Sequence, residues 1–528
     1  MRISQIARSL ALAAASVGSG QALAQEPLTG DWCGNRTYLA DNGVTFQFDV
    51  AQFYQGVTAG GLNQHFKYGG HGDYVTNVDF GKLGVQEGLF LKVRAEHRFG
   101  ENINGDTGAF LPASVLTALP VADSEELYLT NVLFTQALSE RFAVFAGKLD
   151  TLDGDLNAFA HGRGKTQFSN VGFVTNPALL RVVPYSTLGC GFAVLGDEGE
   201  PVFSYMLLNS EDTAKTSGFS ELFNDGVAMA AELRLPTEFY GLPGHQLVGA
   251  AWNNREFTSL GQDPRVVLPD IPVAQASDAW AVYWNFDQHL FVDPCDAGRG
   301  WGVFGRAAIS DEEINPLSWF LSFGLGGHNP MRGHEADTWG AGWFVAGSSG
   351  EIGPIIETFL GPIGDGHGVE LFYNWQATPW LNVTPDLQVL APSRENVDTA
   401  LVLGVRAVIR FAMTIRPLAF LVAACLLFVG ATSCDARTWS DSSGQYTVDA
   451  ELVALTEKAA ILQRGDHHLV SIDVEQLSEE DQAYLATEEA KLAADRVANK
   501  QQTWTTVGGI EIIGNVVDFV ERDVTFQR

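Results

Sequence analysis

Between Leu89 and Arg98 charged and apolar residues alternate one for one: Lys92, Arg94, Glu96 and Arg98 are interleaved with Leu91, Val93 and Ala95. A charged side chain facing lipid costs about 2–4 kcal/mol near the midplane, so a row of this kind belongs on a water-facing surface. Mixed signs within one row suit an uncharged, polyhydroxylated solute, whereas a ring of one sign selects ions. The plainer reading is charge pairing between neighbouring strands. Arg163, Lys165, Gln167 and Asn170 form a second polar group, in a long segment that either folds into an interior lumen and narrows it or stays an exposed outer loop. Tyr283, Phe304 and Phe372, together with Arg306, fall on the water side of their own alternating segments. Aromatic rings there either stack on a solute ring or pack at a constriction.

Other chemistry finds little support. His328, His334 and Glu335 sit in a Gly-rich stretch and His367 lies between glycines, without the His-x-x-x-His spacing of a zinc hydrolase. The cysteines Cys33, Cys190, Cys295, Cys425 and Cys434 lack C-x-x-C spacing, and no G-x-S-x-G elbow is present. These spacings give little reason to expect a metal site or catalysis. A formal net charge of −31 argues against a nucleic-acid partner, since phosphate binding needs a basic surface.

The elements that would hold these residues are strands. Trp280, Val282, Trp284 and Phe286 alternate with Ala281, Tyr283, Asn285 and Asp287, and Val369, Leu371, Tyr373 and Trp375 with Glu370, Phe372, Asn374 and Gln376. The last such segment puts Leu401, Leu403, Val405, Ala407, Ile409 and Phe411 on one face and Gly404, Arg406 and Arg410 on the other, with Val402 and Val408 as exceptions. Arg2 and Arg8, an apolar stretch from Leu10 to Val17, and Ala22-Leu23-Ala24 read as a secretory signal peptide over 1–24. Alternating strands, aromatic ends such as Trp301, Tyr373 and Trp375, an export signal and a terminal Phe411 together predict an all-β fold. It is a transmembrane antiparallel barrel of about 16 strands over 25–411, in the cell outer membrane and bounded by its lipid. Candidate strands begin near Val44, Tyr74, Leu89, Gln246 and Trp301, among others, with long loops at Gly100–Ser124, Asp150–Thr187 and Glu256–Ser277. A barrel of this size leaves an aqueous channel.

Leu28-Thr29-Gly30-Asp31-Trp32, Gly34, Arg36-Thr37, Leu39-Ala40-Asp41 and Gly43-Val44-Thr45-Phe46 resemble the opening of the carbohydrate-selective porin family (OprB-like). Arg94–Glu101, Ala146–Asp150 and Gly164–Phe168 extend the resemblance, which covers Leu28–Phe411. The chain departs from the family pattern at Cys33, where Gly is usual, and this puts a special turn in doubt. The resemblance implies passive, carbohydrate-selective diffusion of small sugars, with no cofactor and no covalent chemistry; a monomer or a weak trimer, a homo-oligomer, is expected. A general or anion-selective porin is the alternative, as is a surface interaction protein that the barrel merely anchors.

After Phe411 the organisation changes. Met413, Arg416, apolar Leu418 to Val429 and Ala431–Ala436 repeat the layout of a leader over 412–436, with Cys434 as a lipid acceptor or cleavage after Ala436. The segment marks either two joined reading frames or a hydrophobic tether in a genuine fusion. Arg437-Thr438-Trp439, Gly444, Tyr446–Leu452 and Leu477–Leu485 resemble the first Sla-homology domain over Arg437–Leu485, which implies a small SH3-like β fold there; the whole domain, with helix and tail, is expected over 437–528. Ser478 is expected to cap a helix running towards Lys500, and Ile510–Val520 to form a further strand. This domain would bind a peptide or protein, in the periplasm or at the surface if separate.

Overall fold

The computed structural model describes residues 27–411 apart from 155, 198, 268 and 269, together with 437–440, 442, 447–455, 459–464, 469–485, 502–505 and 511–514. The leader-like segments 1–24 and 412–436 lie outside the described residues. The chain divides into two compact units, Met1–Thr414 and Ile415–Arg528.

The first unit is a closed antiparallel barrel of 16 strands. In chain order they are β1 (Val44–Ala59), β2 (Phe66–Asp79), β3 (Leu89–Gly100), β4 (Tyr128–Ser139), β5 (Phe142–Asp150), β6 (Ser186–Leu195), β7 (Pro201–Asn209) and β8 (Val227–Phe239). Then come β9 (Leu242–Asn253), β10 (Ala279–Asp293), β11 (Asp296–Ser310), β12 (Leu317–His328), β13 (Thr338–Ser348), β14 (Gly366–Thr378), β15 (Leu381–Ala391) and β16 (Ala400–Phe411). Each strand pairs with its neighbours in sequence, and β16 closes on β1 with Phe411 opposite Phe48. Closure satisfies every strand edge, which hydrocarbon demands. Among the described residues no helix is long and apolar enough to cross a membrane.

Two-residue periodicity sorts the side chains. On β10, Trp280, Val282 and Trp284 are 39–42% exposed on the outer wall, while the alternate Ala281, Tyr283, Asn285 and Asp287 are buried towards the lumen. On β16, Leu403 and Val405 face out and Arg406 faces in. The exceptions Val402 and Val408 are buried in the apolar cluster inside the barrel, so their place on the polar side reflects packing rather than a break in the strand.

Three expected starts move by four residues or more. β2 begins at Phe66 rather than Tyr74, because Gly69, Gly70 and Gly72 remove the apolar signal from its first half. β9 begins at Leu242 rather than Gln246, and β11 at Asp296 rather than Trp301, where charged and small residues again hide the alternation. At one end the connections are short, as at 140–141, 240–241, 294–295 and 379–380; at the other lie the long segments 101–127, 151–185 and 254–278.

In the second unit Arg437–Ser440, Thr447–Leu455, Ala459–Arg464 and Leu469–Asp473 form a four-stranded antiparallel sheet. Trp439, Leu452, Ala460, Leu462, Leu477 and Leu485 make its core. The Ser478 hydroxyl accepts from the Asp481 N–H at 3.2 Å at the start of helix Glu479–Leu485. The expected continuation of that helix towards Lys500 lies outside the described residues. Glu511–Gly514 pairs with Gln502–Thr505, and the rest of the strand expected to reach Val520 is likewise outside.

Candidate functional site

The strand pattern alone leaves the middle of the barrel open. The 151–185 loop between β5 and β6 occupies it, and the inward-facing charges of the wall hold it there. Its tip is a Gly162-Arg163-Gly164 turn in which all three residues have positive φ, at 78°, 56° and 76°. The two glycines take this conformation freely; Arg163 does so at a cost. The turn drives the Arg163 guanidinium into a nest of carboxylates. It donates to Asp150 at 2.7 Å, Asp153 at 3.1 Å, Glu96 at 2.5 Å and the Tyr185 hydroxyl at 2.8 Å. Arg94 donates to Asp73 at 3.0 Å, Asp150 at 2.8 Å and Asp153 at 2.6 Å, and Lys92 pairs with Asp153. Lys165 reaches Asp49 at 2.8 Å and Asp73 at 2.7 Å. Glu96 also accepts from the Tyr185 hydroxyl at 2.6 Å and lies 3.3 Å from His71.

Five carboxylates, on Asp49, Asp73, Glu96, Asp150 and Asp153, thus meet the four cations Lys92, Arg94, Arg163 and Lys165. Burial alone would raise the Asp153 carboxyl, but Arg94, Lys92 and Arg163 outweigh it and hold that group far below the usual carboxylate range. Burial alone would lower Lys165, and Asp49 and Asp73 instead hold its ammonium above its ordinary value.

The far wall grips the same loop through its backbone. Arg306 donates to the carbonyls of Phe173 (2.8 Å) and Ala160, and Arg406 to those of Gly164 and Gln167. Glu370 accepts from the N–H groups of Ser169 at 2.6 Å and Asn170 at 2.9 Å. Beneath these bonds Phe168 packs against Phe173, Phe304 and Phe372, with ring centroids 4.6, 5.3 and 4.8 Å away. Glycine on β13 makes room: a Cβ on Gly340 would come within 2.3 Å of Phe372.

Lys92, Arg94, Glu96, Phe304, Arg306 and Phe372 thus stand on barrel strands and touch the 151–185 loop, to which Arg163, Lys165 and Gln167 belong. Arg163, Lys165, Gln167 and Asn170 each bond to a residue of a barrel strand, namely Glu96, Asp73, Arg406 and Glu370 respectively. Lys92, Arg94 and Glu96 bind the loop and its base, not only adjacent strands. Arg98 turns to the 101–127 loop, donating to the Ala122 carbonyl at 2.7 Å. Tyr283, Phe304, Phe372 and Arg306 are almost fully covered, so they pack rather than present a face to open water. The Tyr283 hydroxyl donates to Glu232 at 2.7 Å. The sequence reading missed Asp49, His71, Asp73, Asp150, Asp153 and Tyr185. The late start assigned to β2 hid His71 and Asp73, although both alternate with glycines and Tyr74 in the required register.

An antiparallel barrel closed on itself, with a long loop drawn across its water-facing interior, is the build of an outer-membrane porin. The chain belongs to the carbohydrate-selective porin, OprB family, whose model matches residues 63–411. Residues 431–492 match the SLA1 homology domain 1. Among solved structures, the high-pH form of Pseudomonas putida OprB is similar at 20% identity and a TM-score of 0.62, covering 73% of this chain and 99% of that one. Its low-pH form gives 17% identity and a TM-score of 0.46 over 73% and 99%. OmpT of Vibrio cholerae gives 14% and 0.41 over 70% and 97%. No curated sequence matches.

Proposed function

We propose that the barrel is a passive conduit for small sugars, moving them without covalent chemistry past the constriction made by the 151–185 loop. The observation that carries this reading is the near balance of charge at the constriction. Four cations are each spent on carboxylates, which leaves no ring of one sign to select ions and suits a neutral solute. Family membership supplies the solute class. The proposal includes export directed by residues 1–24, a barrel domain over 25–411 that functions as a monomer or weak homo-oligomer, and a separate domain over 437–528 that binds a peptide or protein.

In planar bilayers the purified chain should open steady channels with similar anion and cation permeability, and added glucose should lower their conductance. Indifference to every sugar tested refutes the selectivity, and strong anion preference turns the reading to an anion-selective porin.

A further inference from the structure

Between the pinned loop and the short 80–88 connection the lumen contains a cavity of about 920 Å³. Its wall is not the polar lining expected inside a water-filled barrel. Phe90, Leu133, Phe145, Leu195, Met206 and Leu247, from six different strands, form one apolar panel. Water in contact with such a panel is readily displaced by apolar matter.

The panel has a polar frame. Gln47, Asn77 and Lys92 stand on one side, Glu232 and Arg234 on the other, and Asp153 of the loop borders the same space. Within the frame, Asn77 Oδ1 and Asn131 Oδ1 are covered and have no hydrogen-bond partner among the described residues. Both residues line the cavity, and in the sheet register Asn77 lies opposite Lys92 and Asn131 opposite Arg94. A covered carbonyl oxygen without a donor costs free energy until a hydroxyl or amide supplies one. Idle acceptors beside an apolar panel call for a solute with hydroxyl donors at one end and a bare hydrocarbon surface at the other. The cavity lies within the range of small-molecule pockets, roughly 300–1,000 Å³.

We propose that this cavity is a binding subsite for glycosides that carry an apolar aglycone, aryl glucosides being the simplest. The sugar hydroxyls donate to Asn77 and Asn131, and the aglycone lies against Phe90, Leu133 and Phe145. The inference deepens the sugar-conduit reading and rests on it.

The test compares methyl and phenyl β-glucoside as blockers of the full chain in planar bilayers, with binding constants taken from current noise. Phenyl glucoside should bind roughly tenfold more tightly. That ratio should fall towards one in Phe145→Gln and in Leu133→Gln, with methyl glucoside binding unchanged. Equal binding of the two glucosides overturns the subsite while leaving sugar conduction intact, as does a ratio that survives both substitutions. Block by phenyl glucoside alone overturns the sugar reading and keeps the apolar panel; block by neither overturns both. If neither variant opens channels, the wild-type ratio decides.

Discussion

Cys33 has φ 60° and ψ 37°, a left-handed conformation that costs a residue with a Cβ on the order of 1–2 kcal/mol. It stands where the resembling family has Gly, so the turn survives and the strain is local. Cys33→Gly should stabilise the barrel by about 1 kcal/mol, read as a higher thermal midpoint by circular dichroism in detergent. An unchanged midpoint would mean that the turn carries no strain. Arg163 bears a heavier load, because its removal leaves Glu96, Asp150 and Asp153 buried with fewer cations. Breaking a buried ion pair from one side costs about 3–5 kcal/mol, and here that loss should fall on the anchoring of the loop. Arg163→Ala is expected to raise single-channel conductance and its noise. Arg163→Lys should restore them only in part, since an ammonium cannot reproduce the planar fork. Equal conductance in all three proteins would show that the loop does not set the constriction.

At the scale of elements, the β4–β5 pair depends on one backbone position. Gly147 has φ 143°, and a Cβ there would lie 2.1 Å from the Val132 carbonyl oxygen across the ladder. That neighbour is backbone and cannot turn aside. Gly147→Ala should therefore weaken the barrel by at least about 1–3 kcal/mol and reduce the fraction that migrates as the compact form on unheated gels. Gly105→Ala, with nothing within 4 Å of its added Cβ, should leave that fraction unchanged. The loop shows the complementary logic. It has little regular structure of its own and owes its position to side chains on β3, β11, β14 and β16, so its conformation is a property of the closed wall.

At the scale of the molecule, the ladder that closes the barrel runs, among the described residues, from Phe48 opposite Phe411 to Ala59 opposite Leu401. Residues 25–411 refolded into detergent should thus form channels with the unitary conductance of the whole chain. A clearly different unitary conductance would show that the tail shapes the pore. The Ile415–Arg528 unit has its own core around Trp439.

The alternation in Leu89–Arg98, in Trp280–Asp287 and in Leu401–Phe411 determined by itself that these segments are strands and which side of each meets lipid. A strand's period of two is local, and the cost of a charge in hydrocarbon leaves one orientation. What Lys92, Arg94 and Glu96 would touch was not written there, because their partners come from other strands and from a loop whose sequence carries no periodicity. Phe304 and Phe372 read as water-facing for the same reason: alternation gives the side of the sheet, not what lies upon it. Only closure of the wall brought Asp49, Asp73 and Asp150 around one space, and the low dielectric of that space fixed Arg163, Lys165 and the narrowed lumen in place.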